Sequence, residues 1–366
     1  MSIERRIGQL RRLLSTSEAL SYLIAPEELA TLLPGEPSYR VDQLREWLYR
    51  RPVFSSGEMT NLPTELRDRL DHGLWPFACE AERVGDGGKT VKWLFRTPDG
   101  VAIESVLMGY PGRATLCISS QAGCALGCTF CATGQFGFDR HLEPGEIVAQ
   151  VAWAQAHLRE NGLPGAPDHL TNLVFMGMGE PLANYDRVRE AIRRIIDIMG
   201  MSARSLTVST VGVVPGIKKL ADEPWPMNLA VSLHASDDAT RTKLVPLNRR
   251  YPLAAVEAAA AYFFEKKGRR ISIEWTMIDG VNDSAEQARG LVPIAGRLRA
   301  HVNLIALNPT PLTSDTASPR IGAFARVLAE GGINVTIRDT RGQDIDGACG
   351  QLRAVAITSR TVDRPI

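Results

Sequence analysis

A chain of 366 residues, 44% hydrophobic, is long enough for one large core with an appendage or for two ordinary domains. Its formal net charge of +1 lacks the global basicity of strongly cationic nucleic-acid binders, so any RNA site has to be a local patch. No uninterrupted apolar segment reaches membrane-spanning length. Met1 to Leu20 carry Arg5, Arg6, Arg11 and Arg12 instead of the apolar run of a signal peptide, so a soluble cytoplasmic protein is expected.

Residues 1 to about 80 read as helical. Tyr39 to Tyr49 places Val41, Leu44 and Leu48, with Trp47 nearby, on one face before Pro52 stops it, and Leu62 to Leu70 offers a second helix opened by Pro63. Val91–Arg96 and Val101–Leu107, separated by Pro98-Asp-Gly100, read as a β-hairpin. From about residue 111 strands alternate with helices, which argues for β-α units and a parallel sheet. The expected strands are Thr115–Ser119, Asn172–Met176, Ser205–Ser209, Asn228–Leu233, Ile271–Met277, Val302–Leu307 and Val335–Arg338. Helices are expected over Glu146–Leu158 and through Val188, Ile192, Ile195 and Met199. Two more start at a capping box, Ser284-Ala-Glu-Gln287, and at Ser318-Pro319. The division expected is a helical N-terminal RNA-binding domain (1–85), a hairpin linker (86–110), an α/β core (111–345) and a C-terminal loop and tail (346–366). Strand count alone does not separate a partial barrel from an open doubly wound sheet.

In such folds ligands sit beyond the carboxyl ends of the strands. Cys124-Ala-Leu-Gly-Cys128-Thr-Phe-Cys131 follows the first of these strands. Three thiols in one glycine-bearing loop suit a [4Fe-4S] cluster with one iron left for a small molecule. A closed zinc site needs a fourth ligand, for which His141 is a candidate. Three cysteines within eight residues also argue for reduced metal ligands over disulfides. Further strand ends carry Gly177, Gly179 and Glu180, then Ser209, then Ser232-Leu233-His234, then Asn308. Each alone is an ordinary turn or cap residue. As a set they favour one shared ligand.

Cys117 lies in a strand and reads as a small buried hydrophobe, as does Cys79. Cys349, in Asp346-Gly-Ala-Cys-Gly-Gln-Leu352, has no packing reason to be there, and a loop can deliver it to a site. Candidate RNA patches are Arg249-Arg250, Lys266-Lys267-Gly-Arg269-Arg270, and Arg338, Arg341 and Arg353. Such groups are as often the solvated ends of helices.

The C-x3-C-x2-C spacing with Phe130 before the last cysteine resembles the radical S-adenosylmethionine (SAM) superfamily. That cluster, Met-Gly-Met-Gly-Glu-Pro-Leu182, Ser-Thr-Val-Gly-Val-Val-Pro215, Ser-Leu-His-Ala235, the Cys349 run and the N-terminal Tyr39–Tyr49 and Glu58–Leu62 segments together resemble the RlmN/Cfr methyltransferases of RNA adenine. The resemblance implies a partial (β/α)6 barrel with a small helical N-terminal domain. It implies a [4Fe-4S] cluster on Cys124, Cys128 and Cys131, and two SAM per turnover, held by Gly179, Glu180, Ser209, Ser232, Leu233, His234 and Asn308. It implies that Cys349 is methylated, that its S-methyl carbon becomes a radical and adds to adenine, and that Cys117 releases the product by forming a disulfide with Cys349. Glu104 matches the carboxylate that takes the ring proton, with Cys117 a competing base. Val211 departs from the family, in which another serine is frequent. Expected substrates are C2 of adenine in 23S rRNA and in tRNA next to the anticodon, with a flavodoxin-type electron donor and a monomeric enzyme. Methylation at C8 is the alternative, and an RNA-binding protein with a structural cluster is the non-enzyme alternative.

Overall fold

The structure, a computed structural model, describes residues 21–310 and 313–352. The arginines of Met1 to Leu20, the RNA-contact candidate Arg353 and the tail after it lie outside the described residues.

The N-terminal helix Ser38–Arg45 follows Pro37 and runs on as a π turn, Glu46–Arg50, before Pro52. It buries Leu44, Leu48 and Tyr49, while Trp47 stays half-buried with its indole donating to Asn61 Oδ1 at 2.6 Å. A second helix, Thr64–Asp71, starts directly after Pro63 and buries Leu66 and Leu70. Arg194, almost fully buried, ties this part to the rest by donating to the Tyr22 and Ile24 carbonyls.

Twelve strands follow: β1 (Ala78–Gly85), β2 (Thr90–Arg96), β3 (Ala102–Tyr110), β4 (Arg113–Cys117), β5 (Gln121–Gly123), β6 (Phe138–His141), β7 (Asn172–Phe175), β8 (Leu206–Thr210), β9 (Asn228–Ser232), β10 (Ser272–Met277), β11 (His301–Ala306) and β12 (Asn334–Ile337). Ten form one sheet in the order β1-β2-β3-β4-β7-β8-β9-β10-β11-β12, and β5 pairs with β6 as a separate ribbon. β1 to β4 are antiparallel, and β4 and β7 to β12 are parallel. A doubly wound sheet reverses its strand order at a switch point. This order never reverses, and right-handed crossovers in unbroken sequence put every connecting helix on one face. The sheet is therefore the wall of a partial barrel, with its inner face and the carboxyl ends of the strands left for a site.

The helix Pro144–Asn161 covers the outside with Ile147, Val148, Val151, Ala154 and Leu158, and Leu253–Lys267 does so with Val256, Ala259, Ala260 and Phe263. Two helix starts differ from the sequence reading. Ser284 Oγ accepts from the Gln287 N–H, but the Gln287 side chain does not return to Ser284; its Oε1 accepts from Ser236, so only half of the capping box forms. Ser318 lies ahead of the helix Ile321–Glu330, and its hydroxyl accepts from the Arg320 N–H and donates to Asp283. Strand β1 has no counterpart in that reading either. Its residues, Ala-Cys-Glu-Ala-Glu-Arg-Val-Gly85, mix small and charged side chains at a half-buried sheet edge, so no apolar period marks it.

Candidate active site

From β4 the chain passes into the β5–β6 ribbon, whose connecting loop holds Cys124, Cys128 and Cys131. The loop is fixed from three sides: the Cys124 N–H donates to the Gly137 carbonyl at 2.7 Å, the Thr129 N–H to Leu244 at 3.1 Å and the Cys131 N–H to Cys128 at 3.2 Å. Burial pushes the Cys124 thiol up to about 12 and the Cys128 thiol well above its ordinary range, and the neighbouring sulfurs add to both shifts. Three sulfurs that repel one another as anions suit a positively charged centre that takes them as thiolates. Among the described residues no three His, Cys, Asp or Glu side chains gather tightly enough for a single metal ion. A cluster whose cysteines each bind a separate iron needs no such convergence. His141 does not gather with the three cysteines as a single-metal site among the described residues, and its Nδ1 lies 2.9 Å from Gln121 Nε2. The donor set therefore fits a [4Fe-4S] cluster on Cys124, Cys128 and Cys131.

Beside this loop opens a cavity of ≈ 950 Å³, counting space open to solvent, lined by the three cysteines and by residues from successive strand ends. At the end of β7, Gly177 passes so close to β4 that a Cβ there would stand 2.6 Å from the Ile118 carbonyl, so only glycine lets the loop enter. Glu180 lines the cavity while its oxygens accept the Leu182 and Val211 N–H groups at 3.0 Å each. The bond at Val211 uses its backbone and so does not depend on the departure from serine. Gly179, Ser209 and Ser232 also line this cavity. Leu233 is buried and Asn308 is turned elsewhere; neither forms part of the lining.

His234 completes this wall with the left-handed φ of +63°. Its Nδ1 accepts the Thr276 N–H at 3.0 Å, which leaves the proton on Nε2. Burial, helped by the charge of Arg241, pushes its pKa down to about 3. An unfolded histidine titrates near 6.5, so the neutral ring contributes stability that is complete above pH 6.5 and is lost as pH falls toward 3. A His234→Asn variant keeps an acceptor for Thr276 and tolerates positive φ. Between pH 6.5 and 5 its unfolding free energy in urea is expected to fall by roughly 1.5 kcal/mol less than that of the parent chain.

A second cavity, ≈ 740 Å³ on the same measure, adjoins the first and is lined by Val106, Met108, Tyr110, Cys117, Arg338 and the loop after β12. Cys349 lines both cavities. Its side chain is exposed to the cleft yet walled in by protein, so the sulfur is reachable from inside the site. The loop bearing it is anchored along its length: the Gly342 N–H donates to Asp86, Lys92 Nζ to the Asp346 carbonyl, Asn308 Nδ2 to the Cys349 carbonyl and the Ala132 N–H to the Gly350 carbonyl. All six cysteines are free thiols. Burial and the charge of Cys349 push Cys117 up to about 12, opposed by Arg338. Burial likewise raises Cys349, and Arg338 again works against it. The two sulfurs and Arg338 thus share one electrostatic neighbourhood.

Glu104 lies on the face of β3 that carries Val106 and Met108 but does not itself line either cavity. It is buried, with Oε1 3.0 Å from Lys92 Nζ. Lys92 therefore joins Glu104 to the Cys349 loop. Sequence reading missed Lys92, although the β2–β3 register of Leu94 opposite Glu104 makes Lys92 and Glu104 diagonal neighbours on one face. It also missed Arg241, fully buried, whose guanidinium donates to the Leu233 and Val211 carbonyls and braces two strand-end loops from behind. Nothing local in Asp-Ala-Thr-Arg241 signals that role.

Residues 118–292 match the radical SAM superfamily, and residues 29–74 match the ribosomal RNA large subunit methyltransferase N-terminal domain. The chain is 49% identical over 340 residues to the probable dual-specificity RNA methyltransferase RlmN of Chloroflexus aurantiacus, covering 89% of this chain and 90% of that one. It is 52% identical over 331 residues to the protein of the same description from Frankia alni, covering 87% and 79%. The crystal structure of a radical SAM methyltransferase from Sphaerobacter thermophilus superposes with a TM-score of 0.87 at 46% identity, covering 92% of this chain and all of the other, 100%.

Proposed function

Because the chain belongs to the RlmN family of radical SAM RNA methyltransferases, we propose that its two cavities divide one reaction between them, the methylation of adenine at C2 in 23S rRNA and in tRNA beside the anticodon. The observation that carries this reading is the placing of Cys349 on the boundary, with Cys124 and Cys128 on one side, Cys117 on the other, and Cys131 beside it on both. The enzyme acts on RNA with a [4Fe-4S] cluster and SAM.

When bound, the cluster and SAM supply methyl groups and a one-electron abstraction of hydrogen from carbon. Cys124, Cys128 and Cys131 hold the cluster. Glu180 offers a buried carboxylate to an ammonium group, and Ser209, Ser232 and His234 Nε2–H offer hydrogen bonds to a carboxylate, ribose and adenine. Leu233 and Asn308, outside the cavity lining, support this set from behind: the Leu233 carbonyl accepts from Arg241, and Asn308 holds the Cys349 loop.

Cys349 sulfur takes up a methyl group and carries its carbon to the ring. C2 is electron-poor and has no lone pair, so it needs a carbon radical partner and not the transfer of a methyl cation. Once the carbon–carbon bond exists, the adduct gives its unpaired electron back to the electron carrier; Cys117 sulfur then attacks Cys349 sulfur, the Cys349 carbon–sulfur bond breaks with its electron pair left on carbon, and that carbon takes up a proton and stays on adenine as the methyl group. The ring proton goes to Glu104 or Cys117. An external two-electron reductant reopens the Cys117–Cys349 disulfide, and a flavodoxin-type protein delivers the single electrons. We assign a monomer working in the cytoplasm, where ribosomal RNA and a reducing glutathione pool are found together; among the described residues no helix is long and apolar enough to cross a membrane.

Anaerobic reconstitution is expected to yield about four irons and four sulfides per chain, and mass spectrometry of treated RNA to yield 2-methyladenine. A zinc-only protein would sink the reading; 8-methyladenine would move the target to C8.

A further inference from the structure

Strands β3 and β4 meet in a two-residue turn, Pro111-Gly112, with Gly112 at φ +70°; proline followed by a glycine of positive φ is the type II arrangement. The turn sets Tyr110 directly opposite Arg113 in the ladder. The Arg113 guanidinium lies 4.2 Å from the centre of the Tyr110 ring, and that of Arg341, from the loop after β12, lies 5.1 Å from the same centre. The Tyr110 hydroxyl faces back to Met108 sulfur at 3.8 Å. Tyr110, Arg338 and Arg341 all line the cavity that holds Cys117 and Cys349, and Arg113 stands exposed beside it. Arg341 pairs with Asp339 at 3.1 Å and Arg338 with Glu274 at 3.3 Å, whereas Arg113 has no carboxylate partner among the described residues.

A base attacked at a ring carbon must leave its stack and enter a pocket, which drags its neighbouring phosphates across the rim. Guanidinium groups held in place by an aromatic face are suited to grip those phosphates. We propose that Arg113 and Arg341, braced on Tyr110, form an RNA-gripping lip that holds the backbone next to the extruded adenine. This rests on the RNA-methylating reading of the same site. The lip lies on the Cys117 side, so it addresses the target strand and not the cofactor cavity.

The test uses the reconstituted full-length enzyme with a fluorescent tRNA and a 23S rRNA fragment, titrated over a salt series. Arg113→Gln and Arg341→Gln are each expected to weaken binding by about 5- to 10-fold and to lower the slope of log Kd against log salt by about 0.7. Arg113→Lys is expected to keep the slope, which a misfolded variant would not do. Saturating RNA is expected to restore kcat to within about 2-fold, which separates binding from chemistry. In Arg113→Gln, whose residue lies outside the cavity lining, methyl transfer to Cys349 without RNA is expected to match the parent enzyme. Unchanged affinity and slope in both glutamine variants would overturn the lip. Slower electron delivery from a flavodoxin-type donor with unchanged RNA binding would overturn it too, by making the patch a protein-docking surface. If the parent enzyme makes no methyladenine at all, the underlying reading fails instead.

Discussion

A Cys349→Ala variant is expected to fold normally and to make no methyladenine in either RNA, a loss of at least about 10⁴-fold. Folding should survive because the thiol is exposed to the cleft, and because its loop is held by backbone bonds, from Asn308 to the Cys349 carbonyl and from Ala132 to the Gly350 carbonyl, that alanine leaves intact. The iron content should be unchanged, since Cys124, Cys128 and Cys131 remain. No other free thiol lines both cavities except Cys131, which the cluster takes. The measurement is mass spectrometry of nucleosides from RNA and of the Cys349 peptide. Methyladenine from this variant would show that carbon reaches the ring without passing through protein sulfur.

Cys117→Ala is expected to fail one step later and in a different way. With Cys349 intact, carbon still reaches adenine, but no sulfur is placed to cut it free, so RNA should remain covalently attached to Cys349. The product should appear as a slow-moving protein–RNA band that needs SAM and vanishes in the Cys117→Ala/Cys349→Ala double variant. The electrostatics explain why Cys117 waits its turn. Burial and the charge of Cys349 hold its thiol at about 12, far from ionised at neutral pH. Burial, the larger cause, persists when Cys349 is methylated, and Arg338 is the neighbour that favours the Cys117 thiolate. Free methylated RNA at the parental rate would assign the releasing step to another group.

Much of this site was legible before any coordinates. The cluster cysteines, Glu180 and Ser209 are each tied to a strand end, and strand ends show in sequence as the place where an apolar run meets glycine or a small polar residue. The same local patterns located all seven parallel strands to within two residues. What stayed hidden depends on packing between distant segments. Ser318 and Gln287 carry the right residue types for caps, yet tertiary partners, Asp283 for one and Ser236 for the other, draw them away. The order of strands, which distinguishes a barrel wall from a doubly wound sheet, is likewise a relation between elements and leaves no mark within any one of them. The choice of Asn308 between ligand and loop support is of the same kind.

The Cys349 loop is made after every strand of the sheet and docks on parts made long before: Asp86 and Lys92 in the hairpin, Ala132 after the cluster. Chains grow from the amino end, and early segments fold while later ones are still being added. A nascent chain that has emerged through β11 therefore has its cluster cysteines and most of its proposed cofactor wall in place. It lacks Cys349, the sulfur proposed to receive a methyl group and to bond with Cys117. Products that stop short of Cys349 cannot attach themselves to RNA, so the capacity to form a covalent link with the substrate is acquired only after the last strand, β12, has been made.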